Sequence, residues 1–184
     1  MQTRTTALLF IDVQVAFDDP YWGARNNPGA EANQTALAEA FRARGLPVVH
    51  VGHASRDPGS PLFPLEPGHA FKPATAPLPS EAVFHKQAHC AFVGTGLEAH
   101  LKAQGIDRLV IAGFTTNHCV STTARLSCDL GFKTVVVADA CATFDLEDVA
   151  GNLIPAQVLH DVGLTELHGE FAVVLPTEAI LQLL

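Results

Sequence analysis

Three times along this chain a segment with helical spacing stops at a glycine and passes into an apolar run. Gly45 precedes Pro47–His53, Gly105 precedes Arg108–Gly113, and Gly131 precedes Lys133–Asp139. A glycine just past a helix supplies the left-handed backbone that ends it, and a short unbroken apolar run fits a strand buried on both faces. Ala7–Asp12, Ala82–Lys86 and Phe171–Leu175 are further runs of this kind. The expected fold is therefore α/β: a three-layer α/β/α sandwich around a six-stranded, mainly parallel, Rossmann-like sheet. Right-handed crossovers between parallel strands place helices on both faces of such a sheet. Helices are expected over Ala30–Arg44, Thr95–Gln104, His118–Leu130, Pro155–Gly163 and Thr177–Leu184, with Asp139 capping the turn that follows its strand. Residues 1–184 read as one domain, long enough to bury a core without disulfides or a structural metal.

The formal charge of −8 excludes nucleic acid and anionic membrane as principal partners, because both call for a basic surface; a small-molecule substrate is expected instead. Met1–Thr6 is too short and polar for a signal peptide, and no apolar run approaches the roughly 18 residues of a membrane span, so a cytoplasmic location is expected. Cys90, Cys119, Cys128 and Cys141 show no C-x-x-C spacing and read as reduced thiols, one of which can act as a nucleophile.

In open parallel sheets ligands bind outside the carboxyl ends of the strands. Asp12, Lys86 and Cys119 each follow an apolar run at such an end. Taken singly they read equally as a turn carboxylate, a surface lysine and a small buried hydrophobe. Together they supply what a nucleophilic site needs: a carboxylate to move a proton, a cation beside the thiol, and a cysteine in the first turn of a helix. The free N–H groups at that helix end favour a thiolate and can hold an oxyanion. His118 adjoins the cysteine but consecutive helical residues face apart, which makes it the second choice of base.

Val13–Gly29 reads as a loop carrying Phe17, Tyr21 and Trp22, and Ala54–Ser80, with seven of the twelve prolines, as an irregular cover. His50 and His53 would point to opposite faces of a regular strand and so cannot share an ion, even with Asp57 and His69 nearby; no metal and no cofactor are expected.

These residues resemble the isochorismatase-like cysteine hydrolases, a family that includes nicotinamidases, N-carbamoylsarcosine amidohydrolases and ureidoacrylate hydrolases. The resemblance is carried by Leu8-Leu-Phe-Ile-Asp12-Val-Gln14 with Phe17, and by Lys86 followed by Ala91-Phe92-Val-Gly94-Thr95 and Leu97. It continues in Gly113-Phe-Thr-Thr116-Asn-His-Cys119-Val with Thr123 and Arg125, and in Val136-Val-Ala-Asp139-Ala140. It implies a triad of Asp12, Lys86 and Cys119, with the thiolate attacking an amide, carbamoyl or ureido carbonyl and water hydrolysing the thioester. It also implies a cis peptide between Phe114 and Thr115, an oxyanion hole from the N–H groups of Thr115 and Cys119, a substrate wall of Phe17, Trp22, Phe92 and Phe114, and a homo-oligomer. Family nicotinamidases carry an Asp-x-His metal motif where this chain reads His50-Val-Gly-His53, and true isochorismatases lack the cysteine. Cys90 reads as a second pocket thiol or a core substitution. The alternatives to a cysteine hydrolase are a catalytically silent metabolite-binding or scaffold protein and a hydrolase that uses Asp12 without the thiol.

Overall fold

The computed structural model describes residues 5–184; residues 1–4 of the amino-terminal segment read above as carrying no leader lie outside it. Strands β1 (Thr5–Ile11), β2 (Val48–His53), β3 (Ala82–Lys86), β4 (Ile106–Phe114) and β5 (Lys133–Ala142) follow one another with helices α1 (Ala30–Ala43), α2 (Leu97–Ala103) and α3 (Ser121–Asp129) between them. A short antiparallel pair, β6 (Leu146–Glu147) and β7 (Leu153–Ile154), then leads to α4 (Ala156–Leu167), β8 (Val173–Leu175) and α5 (Thr177–Leu183). The main sheet has six strands, all parallel, in the order β3-β2-β1-β4-β5-β8.

Alternation along the buried strands sorts their side chains into two cores. Leu8, Phe10, Val110 and Ala112 meet Leu37 and Phe41 of α1 and Ile180 of α5, while Leu9, Ile11, Leu109 and Ile111 meet Leu97 and Leu101 of α2, Ala124 of α3 and Leu167 of α4. This is the period-two geometry of a strand covered on both sides. The chain runs outward from β1 through β2 to β3, then returns to place β4 on the other side of β1. Crossovers of one hand must therefore use opposite faces of the sheet, and a crevice opens between β1 and β4 at their carboxyl ends. Among the described residues no helix is long and apolar enough to cross a membrane.

Gly45, Gly105 and Gly131 stop their helices with φ of 63°, 68° and 88°. Strand β4 starts two residues before the expected Arg108, β5 runs past Asp139 to Ala142, β8 starts at Val173 rather than Phe171, and three helix ends move by more than one residue. Thr95 does not start a helix: its hydroxyl donates to Ala91 O at 2.6 Å and accepts from Leu97 N at 3.3 Å, so α2 begins at Leu97. The helix expected from His118 opens instead as a π turn over Thr116–Val120, in which Thr115 O accepts from both His118 N and Val120 N at 3.1 and 3.2 Å. A π turn holds an extra residue that a helical sequence period does not register. Gly163 fails to end α4, because one helical glycine costs only about 1 kcal/mol and Leu167 beyond it is fully buried. Asp139 caps an element far from its own turn: its Oδ1 accepts from Thr177 N and Oγ1 at 2.7 Å, at the start of α5.

At Gly113 φ is 136°, and a Cβ built there would sit 2.0 Å from Ile11 O on the neighbouring strand. Only a glycine lets β4 close on β1 at the point where the crevice opens. Gly113→Ala is expected to lower stability by about 3 kcal/mol or more, read as a fall in the urea midpoint with an unchanged denaturant slope.

Candidate active site

Asp12 leaves β1 in the left-handed region, with φ of 54°, and its N–H donates to Val51 O at 2.7 Å. That turn swings the carboxylate over the crevice instead of continuing the alternation of the strand. Lys86 ends β3 directly opposite His53 in the parallel register. Cys119 sits in the π turn, which follows β4 through a cis peptide between Phe114 and Thr115. The three residues expected to form the site do meet. Lys86 Nζ donates to Asp12 Oδ2 at 2.7 Å and to Cys119 Sγ at 3.3 Å. Their exposures are 0% for Asp12, 1% for Lys86 and 8% for Cys119, so the cluster is enclosed and Cys119 is its most accessible member.

The third donor of the ammonium reaches His53 Nδ1 at 3.0 Å. Because an ammonium can only donate, Nδ1 accepts and the ring proton belongs on Nε2. Gln14 fixes this end of β2: its Oε1 accepts from His53 N at 2.7 Å, and its Nε2 donates to the carbonyls of His53 and His69 at 3.1 and 2.8 Å. Burial, reinforced by the Lys86 charge, lowers His53 from 6.5 to about 4 and keeps it neutral. Burial also raises Asp12 above the ordinary carboxylate value against the opposing pull of Lys86. The expectation of a depressed thiol at a helix terminus is corrected here: burial pushes Cys119 up to about 12, Asp12 pushes the same way, and Lys86 opposes them. The resting site therefore holds a neutral thiol beside an ion pair.

One oxygen of Asp12, one nitrogen of His53 and the sulfur of Cys119 lie within 4.8 Å of one another, a donor set of the kind that can hold a metal. It does not suit one here, since the Lys86 ammonium already donates to all three groups and holds the place of the cation. His50, buried on the opposite face, meets Glu81 Oε2 through Nε2 at 3.0 Å and takes no part.

A cavity of about 200 Å³ opens over the sulfur, and Asp12, Thr115 and Cys119 line it. Of the expected wall, Phe17 and Trp22 line it too, their ring centroids 5.1 Å apart. Phe114 stands behind the wall, stacked on Phe17 at 5.0 Å and fully buried. Phe92 is elsewhere: it stacks on Phe132 at 5.8 Å in the core beside α2 and α3, so its assignment to the wall is corrected. Cys90 belongs to the same core. The covering segment contributes Ser60 and Leu62, as an irregular wall would.

Sequence reading weighed His53 only as a metal ligand, and missed His89 and Phe144. His89 Nδ1 lies 3.8 Å from Cys119 Sγ, and its ring lies between those of His53 and His118, with centroids 6.3 and 6.4 Å away. The polar residue that ends the β2 run pointed to His53; His89 and Phe144 lie in turns whose direction no periodicity reports. His118, the second choice of base, lines the cavity but pairs through Nδ1 with Thr115 Oγ1 at 3.2 Å rather than with the thiol.

A family model described as the isochorismatase domain matches residues 6–179. An isochorismatase family protein of Bacillus subtilis is 41% identical over 175 residues, covering 95% of this chain and 94% of that one. A solved structure of an isochorismatase-family protein from Chromobacterium violaceum superposes with a TM-score of 0.92 at 45% identity, covering 97% of this chain and 92% of that chain. A structure named cysteine hydrolase, from Pseudomonas syringae pv. phaseolicola, superposes with a TM-score of 0.85 at 25% identity over 96% of this chain and 91% of that one.

Buried groups in the site and in the core beside it contribute to the pH dependence of stability. His53, lowered in the fold, contributes stability that is present above its ordinary 6.5 and is lost as pH falls toward 4. Cys119 and the fully buried Cys141, both raised to about 12, contribute stability that is present below their ordinary 9.0 and is lost as pH rises above it. Urea midpoints measured across this range are expected to peak between those limits. His53→Gln should flatten the acid limb and Cys141→Ala the alkaline one.

Proposed function

The chain belongs to the isochorismatase family of hydrolases, and on that premise we propose that it is a cysteine hydrolase cleaving a C–N bond of a small amide, carbamoyl or ureido compound. The observation that carries this reading is the buried Lys86 ammonium donating at once to Asp12 Oδ2 and Cys119 Sγ, beside a cavity that Asp12 and Cys119 line.

With a substrate carbonyl in the cavity, Asp12 accepts the thiol proton as the C–S bond forms. Because the thiol is neutral at rest, proton transfer accompanies attack rather than preceding it. The raised carboxyl of Asp12 is matched to this work, since a base poised closer to neutrality both takes and returns a proton readily. Lys86 holds the carboxylate and the sulfur in one geometry and offsets the negative charge passing between them. The N–H groups of Thr115 and Cys119, at the edge of the cavity, receive the carbonyl oxygen as it becomes an oxyanion. Asp12 then returns its proton to the leaving nitrogen as the C–N bond breaks, and ammonia or an amine departs. Water adds to the thioester, giving a proton to Asp12. Collapse releases the acid, and that proton restores the thiol. No metal enters the scheme. The enzyme is proposed to work in the cytoplasm as a homo-oligomer of one-domain subunits.

Ammonia release from a panel of small amides, with mass spectrometry of the protein during turnover, tests the reading. Cys119→Ala is expected to lose at least about a thousandfold in kcat/KM, and Asp12→Asn about a hundredfold to ten-thousandfold. Both should keep the wild-type circular dichroism spectrum, and an acyl adduct should map to Cys119. Full activity in Cys119→Ala with none in Asp12→Asn would assign the chemistry to the carboxylate alone. Turnover of no amide and an inert thiol would leave a binding protein.

A further inference from the structure

We infer that the substrate of this site is electrically neutral with an apolar acyl group, a small amide whose carbonyl bears an aromatic or branched aliphatic group and no carboxylate; this rests on the cysteine-hydrolase reading. The wall away from the sulfur is built from Phe17, Trp22 and Phe144, closed by Leu62 and Leu146. The three rings form one cluster, with Phe144 centroids 5.9 Å from both Phe17 and Trp22. The histidines stand at the sulfur end, where Lys86 reaches His53 and Cys119 reaches His89, and Ser60 and Thr143 add two neutral hydroxyls to the lining.

Charge selects further. Among the described residues that line the cavity there is no arginine or lysine, and the one carboxylate, Asp12, would repel a second anion. Lys86 lies beneath, its three donors already directed to Asp12, His53 and Cys119. Arg25 and Lys72 stand behind the wall, 5.4 and 5.7 Å from the Phe114 ring. Each is paired there, Arg25 with Glu31 at 2.6 Å and Lys72 with Asp18 and Glu31. Burial also lowers His53 and His118, so neither carries a charge at neutral pH. A carboxylate carried into this space would lose its water and meet neither arginine nor lysine, whereas an aromatic or branched acyl group meets rings and leucines of matching polarity. At about 200 Å³ the cavity suits one small ring or branched chain beside the amide, and little more.

The test compares benzamide and isobutyramide with succinamate, whose acyl chain ends in a carboxylate. It reads ammonia release, and in parallel the protection of Cys119 from iodoacetamide by each compound. The neutral amides are expected to exceed succinamate by at least about a hundredfold in kcat/KM, and to protect at lower concentration. Leu146→Arg places a cation at the rim, where Leu146 is 37% exposed, and is expected to narrow that ratio at least about tenfold while leaving the urea midpoint in place. Succinamate turned over as well as the neutral amides, or an unchanged ratio in Leu146→Arg, overturns this inference and leaves the hydrolase reading standing. Hydrolysis of none of the three, with Cys119 inert to alkylation, overturns both.

Discussion

A buried ammonium holds this site together. Lys86 is almost wholly enclosed, and an enclosed cation is tolerated only where each of its donors finds a partner. It finds three, on three different strands or turns: the carboxylate after β1, the imidazole at the end of β2 and the sulfur after β4. Removing any one partner would leave charge or hydrogen-bonding capacity uncompensated in an enclosed place. The same contacts that make the cluster tolerable therefore hold the carboxylate and the thiol in one relation, the one used by the proton transfer proposed above.

Much of the surrounding structure serves to bring those partners to one point. The reversal of strand order at β1 opens a crevice where the ends of β1 and β4 adjoin, and Gly113 allows the two backbones to approach. Asp12 takes a left-handed turn, so its side chain leaves the alternation that would have sent it into a core. Gln14 ties the end of β2 to the covering segment, and Thr123 Oγ1 accepts from Ala91 N at 3.0 Å, tying the turn after β3 to α3. Thr116 Oγ1 meets His160 Nδ1 of α4 at 2.8 Å and steadies the π turn that presents the cysteine. These residues touch no reacting atom and still set where the reacting atoms stand.

The electrostatics run against the simplest view of a reactive cysteine. A helix terminus and a nearby lysine both favour a thiolate, yet the sulfur is buried beside a carboxylate, and those two effects win. In the proposed reaction the thiol therefore depends on Asp12, itself raised by burial, to take its proton as it attacks an electrophile.

The order of helices and strands, the parallel sheet and the gathering of Asp12, Lys86 and Cys119 at its carboxyl edge were all legible in the sequence. Apolar runs and helix-stopping glycines are local consequences of burial and backbone freedom, and strand ends in a parallel sheet share an edge by construction. Of the four aromatic residues that the resemblance implied for a wall, Phe17 and Trp22 line the cavity, whereas Phe92 and Phe114 do not. What sequence could not supply were directions and surroundings. A period of about 3.6 residues does not register the extra residue of a π turn, and neighbouring motif residues such as Phe92 and Thr95 leave their segment toward the core or a cap. His53 and His89 reach the site because a strand in parallel register and a turn carry them there from separate stretches of chain. The ionisation of the sulfur, too, was decided by the fold, since the cost of removing a charge from water depends on every group packed around it and no stretch of sequence contains that enclosure.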